Sequence, residues 1–253
     1  MQKEEDMARG IVYEIGQETP FPISRAKLEN YVQCPRCFVL DRRHKIAPPS
    51  GPSFTLNSAV DGLLKKEFDV ARAAQVPHEA VAELGYGFIP LADERMDEWR
   101  NAFKGIRSLH EPSNIELYGG VDDVWVDPDS GNVLIVDYKT TAKSEPVTEL
   151  GDAEYQNAYR RQLEVYQWLL RANGLTVNDT GYWFYATARK NADSFDRKLV
   201  FDYTLVAHEG DTTWIEPALF ALKADLDREG LPAAKDTCEM CQYLDKRRDV
   251  ENS

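Results

Sequence analysis

The sequence predicts an α/β domain, and three observations predict it. Two β-prone runs flank a tight turn between Gly119 and Lys139. A helical stretch over about 153–172 separates them from two further strands, at 181–188 and 198–206. A Cys-x-x-Cys pair stands near either end of the chain. The resulting order, α-α-α-β-β-α-β-β-α, describes one domain whose ends return to each other at the cysteines.

At 253 residues the chain is long enough for one large domain or two small ones. Its 43% hydrophobic and 11% aromatic content is that of a globular protein and argues against wholesale disorder. No apolar run approaches the ~20 residues of a membrane span. No charged-then-apolar signal peptide opens the chain either, so a soluble cytoplasmic protein is expected. The net charge of −13 argues against holding DNA by a global basic field, while leaving room for a local basic channel. Basic clusters at Arg36, Arg42, Arg43, His44 and Lys45, at Arg160–Arg161, and at Lys246–Arg248 read singly as solvated helix faces.

The elements follow in order. Residues 1–10 are polar and read as loose, and Ile11–Ile15 reads as a short edge strand. Ser24 is an N-cap candidate for a helix over about 25–33, with a short helical piece following near Phe38–Leu40. Pro48-Pro49-Ser50-Gly51-Pro52 reads as a loop. Helical spacing returns from Thr55 to about Ala74, through Leu56, Val60, Leu63, Leu64 and Phe68. An irregular connection over 76–90 and a helix near 91–105 lead to the hairpin. Its turn chemistry is Asp127-Pro128-Asp129-Ser130-Gly131-Asn132. The second hairpin strand, Val133-Leu134-Ile135-Val136, is apolar on both faces and therefore central in a sheet. Gly174 is a C-cap for the 153–172 helix, and a last helix spans about 213–228.

The chemistry concentrates where that central strand runs into Asp137-Tyr138-Lys139. Side chains alternate along a strand, so Asp137 and Lys139 share one face and Tyr138 takes the other. With Asp122 on the neighbouring strand, these are the parts of a phosphodiester-cleaving metal site. Two carboxylates and the Tyr138 carbonyl offer hard oxygen ligands to Mg²⁺, and Lys139 can orient a water or neutralise charge. The plainer reading is a buried Asp–Lys ion pair beside a turn. Gln162 and Tyr166 stand at i and i+4 and can reach a phosphate or a base, with Tyr166 offering a stacking surface; equally, they can be core positions of an amphipathic helix. The cysteine pairs, Cys34/Cys37 and Cys238/Cys241, supply four thiolates, the complement of structural zinc or of an iron–sulfur cluster. Two unrelated pairs, or a redox dithiol, are the alternatives.

Taken together, these residues resemble the PD-(D/E)XK nuclease superfamily in its RecB-type branch. That branch includes the CRISPR-associated exonucleases and AddB-like nuclease domains. The likeness runs from about residue 22 to 247. Ile23-Ser24 through Tyr31 and then Cys34-Pro35-Arg36 looks like the opening helix and first cluster cysteine. Gly119-Gly120-Val121-Asp122 looks like the first metal-ligand strand. Asp137-Tyr138-Lys139 resembles the D/E-x-K signature and Gln162-Leu163-Glu164-Val165-Tyr166 the Q-x-x-x-Y motif. The resemblance implies a restriction-endonuclease-like mixed central sheet flanked by helices, with the termini joined by a four-cysteine metal site. It implies a nuclease domain over 23–247, an extension at 1–22 and a tail at 248–253. It further implies a Mg²⁺- or Mn²⁺-dependent deoxyribonuclease with catalytic Asp122, Asp137, Lys139, Gln162 and Tyr166, carrying a [4Fe–4S] cluster or zinc on Cys34, Cys37, Cys238 and Cys241.

Two departures stand out. Where the family often has a metal-binding histidine, this chain has Asp61, which is either a metal ligand that makes the site all-oxygen or a solvated helix residue. The cysteines divide two and two, with Cys37 in place of a third C-terminal cysteine near Arg247. The expected activity is hydrolysis of DNA, as single strands or at ends, in repair, recombination or CRISPR adaptation, alone or with protein partners. A non-cleaving DNA-binding or scaffold protein on the same fold is the alternative.

Overall fold

The computed structural model describes residues 11–49, 51 and 54–253. The expected loose segment at 1–10 and the loop positions Ser50 and Pro52 lie outside the described residues. In chain order the elements are β1 (Phe21–Ser24), α1 (Arg25–Gln33), α2 (Pro35–His44), α3 (Thr55–Ala74), α4 (Glu79–Glu83) and β2 (Ile89–Pro90). Then come α5 (Met96–Trp99), β3 (Ile106–His110), a 3-10 turn (Glu111–Ser113), β4 (Ile115–Gly119) and β5 (Asp123–Val126). The chain closes with β6 (Val133–Lys143), α6 (Glu154–Ala172), β7 (Thr180–Arg189), β8 (Phe201–Glu209), α7 (Ile215–Asp227) and α8 (Glu239–Glu251).

This is a mixed α/β architecture flanked by helices, as the sequence predicts, with a second, three-stranded sheet in addition to the expected mixed one, and packing divides the chain into two compact units. The first unit comprises Met1–Gly51, Arg107–Gly119 and Thr213–Ser253; the second comprises Pro52–Ile106 and Gly120–Thr212. None of the helices among the described residues is long and apolar enough to cross a membrane.

The second unit is built on a five-stranded sheet ordered β2-β5-β6-β7-β8. β6 pairs antiparallel with β5 and parallel with β7, so the strand that is apolar on both faces is the central one. Alternation along β6 sorts its residues. Leu134, Val136 and Tyr138 join Leu64 and Phe68 of α3, with Trp125, Phe184 and Ala186, in one core. Phe68 is its hub, stacked on Trp125 and edge-on to Phe184. Asp137 and Lys139 point the other way, toward α6, where Leu163, Leu169 and Leu170 are buried. The hydrophobic stripe of α6 thereby covers the face that carries the charged pair.

The first unit holds a three-stranded sheet ordered β1-β4-β3, with β1 parallel to β4. Ser24 caps α1 as expected, its hydroxyl accepting from the Lys27 N–H. Phe38 and Val39 of α2 and Leu219, Leu222 and Leu226 of α7 are buried in this unit.

Several expectations are corrected. Ile11–Ile15 is not a strand: Tyr13 is buried, and its N–H bonds the Arg42 carbonyl while its hydroxyl donates to Asp227. The helix expected over 91–105 is only the four-residue α5, and β3 and β4 follow it unanticipated. The 76–90 connection contains α4 and β2, and α8 follows α7 where no helix was expected. Gly174 has φ +83° directly after the Asn173 cap of α6, one position later than a C-cap proper. Arg42 is no solvated residue, because it is buried against the Asp41 carboxylate. Arg247 and Arg248 do lie on an exposed helix face, paired with Glu251 and Asp245.

Candidate active site and cysteine cluster

In the second unit β6 continues through Lys143, so Asp137-Tyr138-Lys139 lies inside the strand rather than at its end. Asp137 is 1% exposed, and the Lys139 ammonium makes an ion pair with it. Lys139 also donates to Gln162 Oε1 at 3.2 Å and lies 4.3 Å above the Tyr159 ring. Gln162 in turn reaches the Tyr166 hydroxyl at 3.4 Å. Tyr166 is only 3% exposed, so it supports Gln162 and presents no free face to a base. Burial works against the Lys139 charge, but Asp137 above all, with Asp122 and Tyr159, outweighs it and raises the pKa. Lys139 is therefore an ammonium at neutral pH, suited to neutralising charge and not to acting as a base.

Asp122 sits in a bend just before β5, not within the strand. Its Oδ2 accepts the Tyr138 N–H at 3.0 Å, which anchors it beside the backbone between Asp137 and Lys139. Its Oδ1 accepts from Lys65 Nζ at 2.9 Å, and the same ammonium donates to Asp61 Oδ2 at 2.9 Å. Burial and the Asp122 charge push the Asp61 carboxyl up, with Lys65 only partly offsetting them. Asp61 is thus a member of this acidic group and not a lone solvated helix residue.

The structure brings these residues together through two lysines. Lys65 bridges Asp61 and Asp122, Lys139 holds Asp137, and the chain of contacts continues to Gln162 and Tyr166. It does not bring the three carboxylates onto one point. Among the described residues, the group whose ligand atoms converge is the cysteine set. The fit to a divalent ion rests on Asp61 and Asp122, two hard-oxygen donors already gathered around one cationic centre.

Lys65, Tyr159 and Asp123 belong to the site and were not assigned to it from sequence. The four-residue step from Asp61 to Lys65 on a helix was the available signal for the first. Asp123, the first residue of β5, is fully buried. It accepts from Arg72 at 2.5 Å and from the Tyr138 hydroxyl at 2.7 Å, with Arg100 at 3.3 Å. This network ties α3 and β5 to the back of the Asp137-Tyr138-Lys139 segment.

In the first unit the two Cys-x-x-Cys pairs use one local device. Cys34 is the N-cap residue of α2 and Cys37 lies in its first turn; Cys238 and Cys241 repeat the arrangement on α8. All four sulfurs lie within 4.8 Å of one another. No disulfide links them. Burial opposes the Cys34 thiolate, but the N–H groups of Cys37 and Lys235 bring its pKa down to about 7. At 3% exposure, Cys34 lacks the access that a thiol oxidoreductase requires.

The PD-(D/E)XK nuclease superfamily matches residues 52–245. The chain belongs to this nuclease superfamily. No curated protein matches the chain significantly. The superfamily match spans Asp61, Asp122, Asp137, Lys139, Gln162 and Tyr166, and also Cys238 and Cys241. The expected opening-helix likeness and Cys34 and Cys37 lie before it. Membership in the PD-(D/E)XK superfamily carries the coarse reading: a nuclease fold, divalent-metal chemistry and DNA as the class of substrate.

Proposed function

We propose that this chain is a Mg²⁺- or Mn²⁺-dependent deoxyribonuclease of the RecB-type branch, acting on single-stranded DNA or ends in repair, recombination or CRISPR adaptation. The observation that carries it is the Asp137–Lys139 pair on the central strand, with Asp122 hydrogen-bonded to the intervening Tyr138 N–H. An Asp–Lys pair serving only stability does not account for a second carboxylate drawn to the same backbone and a third tethered to it through Lys65. Asp61 and Asp122 are the first groups to hold the ion, and Asp137 and the Tyr138 carbonyl are proposed to close on it as it binds. Bound there, it would withdraw charge from the phosphate and acidify a water.

The protein's own groups do the rest. Lys139, kept protonated by Asp137, is positioned to orient a water and to neutralise charge developing on the phosphate oxygens. Gln162 restrains the Lys139 ammonium and has amide donors for a phosphate oxygen, while Tyr166 restrains Gln162. Tyr155 is exposed on the same helix and edge-on to Tyr159, and it offers the stacking surface that buried Tyr166 does not. The working nuclease domain is proposed to span 23–247, with 1–22 as an extension and 248–253 as a tail. The four cysteines are proposed to hold a structural metal centre.

Labelled single- and double-stranded DNA, incubated with Mg²⁺, Mn²⁺ or EDTA, tests the activity. Wild type should cleave only with metal, and Asp137→Ala and Lys139→Ala should each abolish cleavage while remaining folded by circular dichroism. Undiminished cleavage in either variant refutes the site. DNA binding by wild type without cleavage in any metal establishes the scaffold reading instead.

A further inference from the structure

We propose that Cys34, Cys37, Cys238 and Cys241 hold one tetrahedrally coordinated zinc ion and not a four-iron cluster. The proposal rests on the reading of these cysteines as a metal site and goes further by naming the metal. Spacing decides it. The Cys34–Cys241, Cys37–Cys238 and Cys37–Cys241 sulfurs are 3.9, 3.8 and 3.5 Å apart. A zinc–thiolate bond of ~2.3 Å places the corners of a regular tetrahedron about 3.8 Å apart. The observed separations fall around that value.

A cubane cluster makes a different demand. Each thiolate binds its own iron, and the four irons already stand away from the centre before a metal–sulfur bond begins. The thiolates must therefore enclose eight core atoms. With every pair of these sulfurs within 4.8 Å, the centre of the set is only about 3 Å from each corner, room for one ion at an ordinary ~2.3 Å bond but not for a cluster beneath the ligands.

The local backbone agrees. Each pair spans the N-cap and third helical position of its helix, which turns both sulfurs of a pair toward the N-terminal end, where exposed N–H groups and the helix dipole favour thiolate charge. Two such helix starts, 201 residues apart between Cys37 and Cys238, meet at one point of the first unit. The two-plus-two division is thus a geometric unit in itself, with two chelating pairs closing on one ion, and needs no third C-terminal cysteine near Arg247.

The test is metal competition on the full chain. Protein is purified anaerobically from cells supplied with excess iron, then incubated with iron and sulfide or with zinc under the same conditions. The expected result is about one zinc per chain by elemental analysis, no broad absorbance near 400 nm after iron and sulfide, and intense visible bands on cobalt exchange. Cys37→Ser and Cys241→Ser should lose the zinc and the cobalt bands. About four irons per chain with a 400 nm band overturns the zinc assignment while leaving a metal site in place. If neither metal is retained and all four thiols titrate in the native protein, the metal-site reading itself fails.

Discussion

Lys65 stands between the Asp61 and Asp122 carboxylates, where the proposed function puts a divalent cation, and its removal has a calculable effect. The Asp61 and Asp122 oxygens each lie 2.9 Å from Lys65 Nζ, so they are at most about 6 Å apart. At an effective dielectric of ~20, two like charges at that separation repel by about 3 kcal/mol. The side chains are 34% and 24% exposed, and solvent screening reduces the figure to about 1–2 kcal/mol. In Lys65→Met this repulsion is unrelieved until a cation binds, and no ammonium has to be displaced. Mg²⁺ affinity should therefore rise roughly tenfold, since ~1.4 kcal/mol is a factor of ten. Calorimetric titration of Mg²⁺ at low ionic strength measures it, and a Mg²⁺-dependent thermal shift should follow by mass action. Asp122→Asn, in parallel, should remove the response. If Lys65→Met binds Mg²⁺ no better than wild type, Lys65 does not stand in the cation's place and the Asp61–Asp122 pair is structural.

Two further outcomes concern stability. Asp123→Asn leaves Arg72 and Arg100 facing a buried neutral group and should cost about 3 kcal/mol in urea unfolding; a loss under 1 kcal/mol would show that the network is not under this constraint. Asp41 is held below its ordinary value of 3.8: burial opposes its charge, but Arg42 and Lys27 outweigh that. A depressed folded-state value means the stabilisation is complete above the unfolded value and is lost as pH falls through the folded one. Asp41→Asn should therefore cost about 2 kcal/mol at neutral pH and progressively less below pH ~4; a pH-independent difference would contradict the ion-pair account.

What the sequence determined by itself is whatever depends on neighbours a few residues away. The α3 and α6 spans followed from apolar spacing, the hairpin from Asp127–Asn132 turn chemistry, and the central place of β6 from its two apolar faces. The common face of Asp137 and Lys139 followed from strand alternation, and the capping of α1 from Ser24. Short elements were not legible in the same way. β3, β4 and the four-residue α5 have too few residues for a period to emerge, and β1 and β4 are strands because they pair with each other from 94 positions away (Phe21 with Ile115).

Partnership required the tertiary structure. Nothing local says that Lys65 of α3 will bridge to Asp122, that Asp123 and not Asp122 is the acid buried against two arginines, or that Tyr166 is enclosed while Tyr155 is exposed. Each is decided by which surfaces the sheet and helices press together, because the cost of burying a charge depends on what faces it. The cysteines show the division most plainly. Their two-plus-two spacing marked four candidate ligands, while only the folded distances between sulfurs, set by two helix starts meeting in one unit, say how large a centre those sulfurs could surround.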